Sequence, residues 1–196
     1  MELYWLVIFT AIINSIGWIM YIKDTLTWKT KPNRVTWSIW AAAPLIAVTA
    51  TFYSEWLVWS AVPVFMAWLI PLLILLASFV NKQSYWKLST LDYFCLVFAL
   101  LALILWWITD SPLLAIIFSI WADTFAAIPL LIKMYQFPET ETITPFAAGL
   151  IANSTGLLAV KAWVMEEYLF PLYLVIICSV IIWTYYYSLK FRKTKK

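Results

Sequence analysis

The sequence contains no histidine, only three glycines and only two cysteines among its 196 residues. The lack of histidine excludes histidine-based catalysis, histidine metal ligands and the usual pH switch near neutrality. With so few glycines a glycine-rich phosphate-binding loop is not expected, and the common nucleotide-binding and hydrolase motifs are absent. Cys95 and Cys178 lie within apolar runs without CxxC spacing, which favours buried apolar residues over a disulfide or a metal site. We therefore expect no enzyme, no cofactor and no metal.

Charge is scarce as well. Hydrophobic residues make up 65% of the chain and charged residues 12%, whereas a soluble domain is typically about 45–50% apolar and about 25% charged. A soluble fold of this length could not bury so much apolar surface, so the surrounding solvent is predicted to be lipid. The first residues, MELYWLVIFTAIINSIGW, lack the basic region of a signal peptide. We expect them to stay in the protein as its first span.

Seven apolar segments follow one another along the chain. Each has roughly 18–24 residues, enough to cross about 30 Å of hydrocarbon as a helix, and none shows the alternation of a strand. The segments are Leu3–Ile22, Val35–Phe52, Leu57–Val80, Leu91–Ile108, Leu113–Ile132, Ile143–Val160 and Leu169–Leu189. The pattern predicts an all-α membrane protein with a single transmembrane domain over residues 1–196.

The positive charges favour one orientation in the membrane. All but one of the 13 Lys and Arg residues lie on the same side of the seven segments, the exception being Lys161. This asymmetry predicts an N-terminus outside and a C-terminus in the cytoplasm, in the plasma (inner) membrane. The basic tail from Lys190 to Lys196 fits an anchor on anionic lipid, with a partner-binding patch as the alternative. Nucleic acid is not an expected partner, because the basic loop from Lys23 to Arg34 lies beside the membrane.

Two stretches of the chain resemble each other. Ile22-Lys23 ends the first segment and Ile132-Lys133 ends the fifth; each is followed by a short loop with a proline, Pro32 or Pro138, and by a threonine and an aromatic residue. Two parallel three-helix repeats, residues 1–80 and 113–189, joined by a linker helix at 91–108, would account for this similarity. Parallel repeats are a known transporter plan, with the solute bound between the halves.

This plan resembles the SWEET and PQ-loop transporter families, which have three spans, a linker span and three more spans. PQ-loop proteins carry Pro-Gln, two apolar residues and Lys at the ends of the first and fifth helices. Here Pro129 and Lys133 fit that spacing, with Leu130 in place of the glutamine, while Ile19 and Met20 stand at the corresponding place in the first repeat. The Trp-rich vitamin-precursor transporters of the PnuC type share the helix plan and are a second family that the chain resembles. The resemblance implies transport by alternating access.

Three polar residues are predicted at similar depth. Asp123, Asn14 and Asn153 each lie near the middle of an apolar segment, and an ionisable residue within a span suggests a function by default. Together they could form a polar centre that binds a solute; alternatively each holds the bundle together through helix–helix hydrogen bonds. Lys133, ten residues beyond Asp123, is about 15 Å away along one helix. It is expected at the cytoplasmic interface.

Aromatic and proline residues add further candidates. Trp40 and Trp121 lie inside or near the entry of spans, where a flat ring could stack on a solute or could pack against lipid. Pro44 and Pro129 each remove a backbone hydrogen bond and are candidate gating positions, although prolines also occur in membrane helices without such a role.

The sequence thus predicts a transporter of a small polar solute, which could be sugar-like, amino-acid-like or nucleoside-like. Proton coupling through Asp123 is one option within this hypothesis, because a protonated carboxyl is neutral and cheap to hold in lipid. The alternative is a seven-helix accessory or signalling protein without transport. A homo-oligomer is left open.

Overall fold

The computed structural model describes residues 2–42, 61–82, 89–109, 111–158, 160 and 163–193. These residues form helices joined by short loops, and no strand occurs among them, which confirms the all-α class. The helices are α1 (Glu2–Leu26), α2 (helical over residues 34–42), α3 (Ala61–Val80), α4 (Thr90–Trp107), α5 (Pro112–Gln136), α6 (Thr144–Leu158) and α7 (Met165–Lys193), with a 3-10 turn at Pro138–Thr140.

Three of these helices contain stretches that are long and apolar enough to cross a membrane. They are Thr90–Trp107, Leu113–Gln136 and Glu167–Phe191, and a shorter apolar stretch runs over Trp68–Val80. Large apolar side chains such as Trp5, Phe94 and Trp183 are exposed along the described helices. In water such a surface would be unstable, whereas in lipid it is expected. The chain is therefore a membrane protein.

The chain divides into two compact units. The first combines Met1–Thr30 with Leu131–Lys196, and the second is Lys31–Leu130. In the first unit α6 packs against both α1 and α7, and α7 also contacts the 3-10 turn. Thr10 on α1 lies beside Thr155 on α6, whereas Gly17 lies beside Pro145. The two helices therefore run in opposite directions.

In the second unit, small and branched residues form the packed centre. Val35 and Ile39 on α2, Ala99 on α4 and Ala126 on α5 make one buried cluster, and Trp40, Leu96 and Phe125 pack against it. A second buried cluster joins Ala102 and Leu103 of α4 to Ala122 of α5. Small residues at these positions let helix backbones approach closely, which is the usual basis of helix packing in lipid.

Polar contacts at the helix starts hold the second unit at one end. Asn33 caps α2, since its side-chain oxygen accepts from the backbone N–H of Val35 at 2.9 Å. Its amide nitrogen donates to Asp92, 3.4 Å away. Asp92 in turn forms a capping box with Ser89 at the start of α4. The buried Asp92 carboxylate thus joins the starts of two helices.

Candidate functional site

A row of polar and small residues follows one face of α1 in the first unit. Thr10, Asn14, Gly17 and Tyr21 are spaced three or four residues apart, so they share a side of the helix. We call the contact between this face and α6 the α1–α6 seam. At the seam the hydroxyls of Thr10 and Thr155 lie 2.9 Å apart, within hydrogen-bond distance.

The closest approach in the seam occurs at Gly17. A Cβ atom at this position would lie 3.0 Å from the Pro145 Cα atom and 3.1 Å from the Ala148 Cβ atom. Real Cβ atoms rarely approach other atoms so closely, so a larger residue at this position would push the two helices apart by a few tenths of an ångström. The seam is therefore tight on the side of Gly17 that leads to Tyr21.

Next to this contact the seam is more open and carries polar atoms. A Cβ atom at Gly149 would lie 3.7 Å from Oδ1 of Asn14, 3.9 Å from Nδ2 of Asn153 and 3.5 Å from Sγ of Cys178, which are ordinary van der Waals distances. The structure therefore brings the Asn14 and Asn153 side chains close to each other beside Gly149. Asn153 donates to the Gly149 carbonyl at 2.8 Å.

The Asn14 and Asn153 side chains differ in their hydrogen bonding. Oδ1 of Asn14 is buried, and among the described residues it has no hydrogen-bond partner. A buried acceptor without a hydrogen-bond partner typically lowers the stability of the fold by about 1–3 kcal/mol relative to one that has a partner. An atom of this kind in a native structure calls for an explanation, and a bound group with an N–H or O–H donor would supply it.

Beyond Gly17, a buried ionic cluster lies at the Tyr21 end of the α1–α6 seam. Glu141, in the segment between the 3-10 turn and α6, forms an ion pair with Lys133 near the end of α5. The Tyr21 hydroxyl donates to the other Glu141 oxygen at 2.7 Å. Lys133 also donates to the Thr140 carbonyl at 3.3 Å. The carboxylate is thus held by α5 on one side and by α1 on the other.

A second set of hydrogen bonds lies beside Glu141. Thr142 donates from its hydroxyl to the Asp24 carboxylate at 2.7 Å and also hydrogen-bonds the Thr30 hydroxyl. Lys29 pairs with the same Asp24 oxygen at 3.0 Å. We call Tyr21, Asp24, Lys133, Glu141 and Thr142 the Glu141 cluster. It ties the end of α1 to the loop between α5 and α6.

The other predicted site residues lie in the second unit or outside the described residues. Asp123 and Trp121 are on α5, the former partly buried and the latter exposed with its ring against Phe118. Trp40 packs on the α2–α4–α5 cluster and meets Trp37 edge-on at 5.1 Å between ring centroids. Pro129 is buried within α5, which continues past it to Gln136. Pro44 lies outside the described residues. The solute-binding and gating roles of these residues stay predictions.

Sequence reasoning missed the Glu141 cluster. Lys133 is expected at the cytoplasmic interface; in the structure its side chain is only 2% exposed and pairs with Glu141. Glu141 lies in a loop and Tyr21 at the end of an apolar segment, so hydropathy alone points to neither residue. A signal was present, because the Ile-Lys of the fifth segment is followed eight residues later by an acid, close enough to fold back across a short turn.

The sequence matches no protein-family model, and comparisons with curated proteins and with solved structures gave no match.

Proposed function

We propose that the chain is a membrane transporter of a small polar solute that works by alternating access between its two three-helix repeats. The observation that carries this proposal is the buried Asn14 Oδ1 atom, which has no partner among the described residues and faces the space over Gly149 together with Asn153. In lipid, polar side chains that face the bundle interior commonly mark a solute pathway. A donor group of the solute would form a hydrogen bond to this oxygen, and release of the solute would remove that hydrogen bond.

Asp123 supplies the coupling option in this proposal. It is the acid near the middle of α5, which among the described helices is apolar and long enough to span a membrane. A carboxyl there is stable in lipid when protonated and needs a partner or water when ionised. We therefore propose Asp123 as the proton site, with a pH gradient as a driving force for solute movement.

Ligand binding tests the Asn14 assignment. Purified protein should be heated with a panel of sugars, amino acids and nucleosides, and a solute that binds raises its midpoint of unfolding. Asn14→Leu should leave the unliganded protein at least as stable as wild type, because it removes a buried unsatisfied acceptor, and should abolish the shift with solute. Ser15→Ala is the matched control, since Ser15 is exposed and its hydroxyl donates to the Ala11 carbonyl of its own helix.

The opposite outcome would favour the accessory or signalling alternative. In that case no solute shifts the midpoint of unfolding, and Asn14→Leu destabilises the protein, as removal of a purely structural side chain does.

Transport in proteoliposomes tests whether solute movement is coupled to protons through Asp123. Asp123→Asn is nearly isosteric and should keep the fold while removing the response to a pH gradient at matched amounts of folded protein. Equal rates and equal pH response would remove Asp123 from the mechanism.

A further inference from the structure

The Glu141 cluster contains two kinds of contact that differ in how easily they break. Lys133 and Glu141 are both charged and almost fully buried, so separating them would strand an unpaired charge. The contacts from α1, by contrast, are the Tyr21 hydroxyl on Glu141 and the Asp24 carboxylate on the Thr142 hydroxyl. Each can be exchanged for a hydrogen bond to water, which makes it far easier to break.

These contacts also differ in where they lie. Lys133 and Glu141 are eight residues apart along the chain and belong to the end of α5 and the loop after it. Tyr21 and Asp24 belong to α1, more than a hundred residues away in sequence. A motion of α1 away from α6 would break the α1 contacts and leave the ion pair intact.

We propose that Tyr21, Asp24 and Thr142 form a latch that closes one end of the α1–α6 seam, and that Lys133 keeps the Glu141 charge compensated whether the latch is closed or open. The idea that the latch gates a solute pathway rests on the proposed transport function. The opening of the latch itself does not depend on that function. The latch releases α1 at the cost of two hydrogen bonds, each between a neutral hydroxyl and a charged carboxylate. Glu141 stays paired throughout, so no step leaves an isolated charge in the protein interior.

The chain carries its own reporter for this motion. Cys178 Sγ borders the space over Gly149 together with Asn14 and is buried, with 8% of the residue exposed. A maleimide reacts with a thiolate, which forms only where water reaches the sulfur. Opening of the seam should therefore be read as the alkylation rate of Cys178, measured in a Cys95→Ala background, since Cys95 is the only other cysteine.

Tyr21→Phe is the variant that tests the latch. It removes the hydroxyl and keeps the ring that lies edge-on to Phe146, at 6.4 Å between centroids. Loss of one such hydrogen bond to a carboxylate should raise the open fraction, and with it the alkylation rate, by roughly ten- to a hundredfold. Tyr186→Phe makes the same chemical change at an exposed position of α7 and should leave the rate unchanged. Thr142→Val, which removes the hydroxyl that donates to Asp24, should also raise the rate.

The outcomes separate the latch from the transport proposal. If both Tyr21→Phe and Thr142→Val leave the Cys178 rate at the wild-type value, or if Tyr186→Phe raises it equally, the latch is overturned even when solute transport is active. If the first two variants raise the rate and wild-type proteoliposomes move no solute, the latch stands and the transport function fails. Should Tyr21→Phe not fold, the rate with Thr142→Val decides alone.

Discussion

Lys133 and Glu141 form an ion pair whose side chains are 2% and 0% exposed. Removing two charges from water is costly, and their mutual attraction offsets this only when the remaining hydrogen-bonding capacity is used. Here the Thr140 carbonyl accepts from Lys133 and the Tyr21 hydroxyl donates to Glu141. The attraction and these hydrogen bonds roughly offset the cost of burying the two charges, so the pair adds little net stability. Each charge nevertheless depends strongly on the other, because removing one leaves the other buried without a counter-charge.

We predict strong non-additivity between these two residues. Lys133→Met leaves Glu141 buried without its counter-charge and should lower the free energy of unfolding by about 3–5 kcal/mol. The double variant Lys133→Met with Glu141→Leu removes both charges and should lose much less, mainly the hydrogen bond of Tyr21, about 1 kcal/mol. The free energies come from denaturant titrations of the purified protein in detergent. Additive losses in the double variant would show that the two charges are not coupled.

Two glycines of the first unit should respond to alanine in opposite ways. At Gly17 the new Cβ atom would meet the Pro145 backbone at 3.0 Å, so Gly17→Ala should lower the free energy of unfolding by about 1–3 kcal/mol, as overpacking does. Gly156, within α6, has nothing within 4 Å of the corresponding position. Gly156→Ala should raise the free energy of unfolding by about 0.5–1 kcal/mol, since alanine favours the helix. A loss at Gly156 equal to that at Gly17 would contradict the close approach of α1 and α6.

Gly149 lies between these two cases. Its Cβ position is 3.5–3.9 Å from the Cys178, Asn14 and Asn153 side chains, so Gly149→Ala should fold with near wild-type stability. The methyl group would nevertheless fill the space that the proposed solute group occupies. We expect the solute-dependent rise in unfolding temperature to disappear in Gly149→Ala and to persist in Gly156→Ala. An unchanged solute response in both variants would move the binding site away from Gly149.

The orientation in the membrane is tested by labelling single introduced cysteines in a background without the two native ones. The distribution of basic residues predicts that cysteines at positions 55 and 110, which lie outside the described residues, react with a membrane-impermeant reagent from outside. A cysteine at the exposed Lys29 position should react only from the inside. The reverse pattern would place the loops on the wrong sides and would remove the basis of the repeat assignment.

The capping box of α4 gives a prediction for the second unit. Ser89→Ala removes the side chain that accepts from the Asp92 N–H and donates to the Asp92 carboxylate, and it should cost about 1 kcal/mol of unfolding free energy. Asp92→Ala removes in addition the contact with Asn33 and should cost more. The comparison uses the same denaturant titration. An Asp92→Ala loss no larger than that of Ser89→Ala would show that the Asn33 contact contributes nothing.

Helix positions were predictable from the sequence because an apolar run of fixed length has few alternatives in lipid. The segment Leu91–Ile108 corresponds to α4 at Thr90–Trp107, and Leu113–Ile132 to α5 at Pro112–Gln136. Helix α5 continues past the predicted end to Gln136, and Lys133 within this extension is buried against Glu141. Hydropathy alone could not show that a charged residue is buried when its partner comes from a loop.

The candidate site was predictable only in part. Depth in a span placed Asn14 and Asn153 together, and the structure brings both to Gly149. Depth does not give the direction in which a side chain faces around a helix, which depends on the partner helix. For this reason the sequence could not show that Tyr21 is completely buried while Tyr135 and Tyr187 are exposed.

The discontinuous first unit has a consequence for how the chain is made. Helix α1 leaves the ribosome before α6, the helix that covers its polar face, which ends at Leu158, about 130 residues later. At roughly 5–20 residues per second, α1 waits on the order of 7–26 seconds before α6 is complete. During this interval Thr10, Asn14 and Tyr21 lack their native neighbours. Newly inserted α1 therefore presents this polar face to membrane chaperones and quality-control proteases until α6 is made, and ribosomes that stall before α6 should yield short-lived fragments.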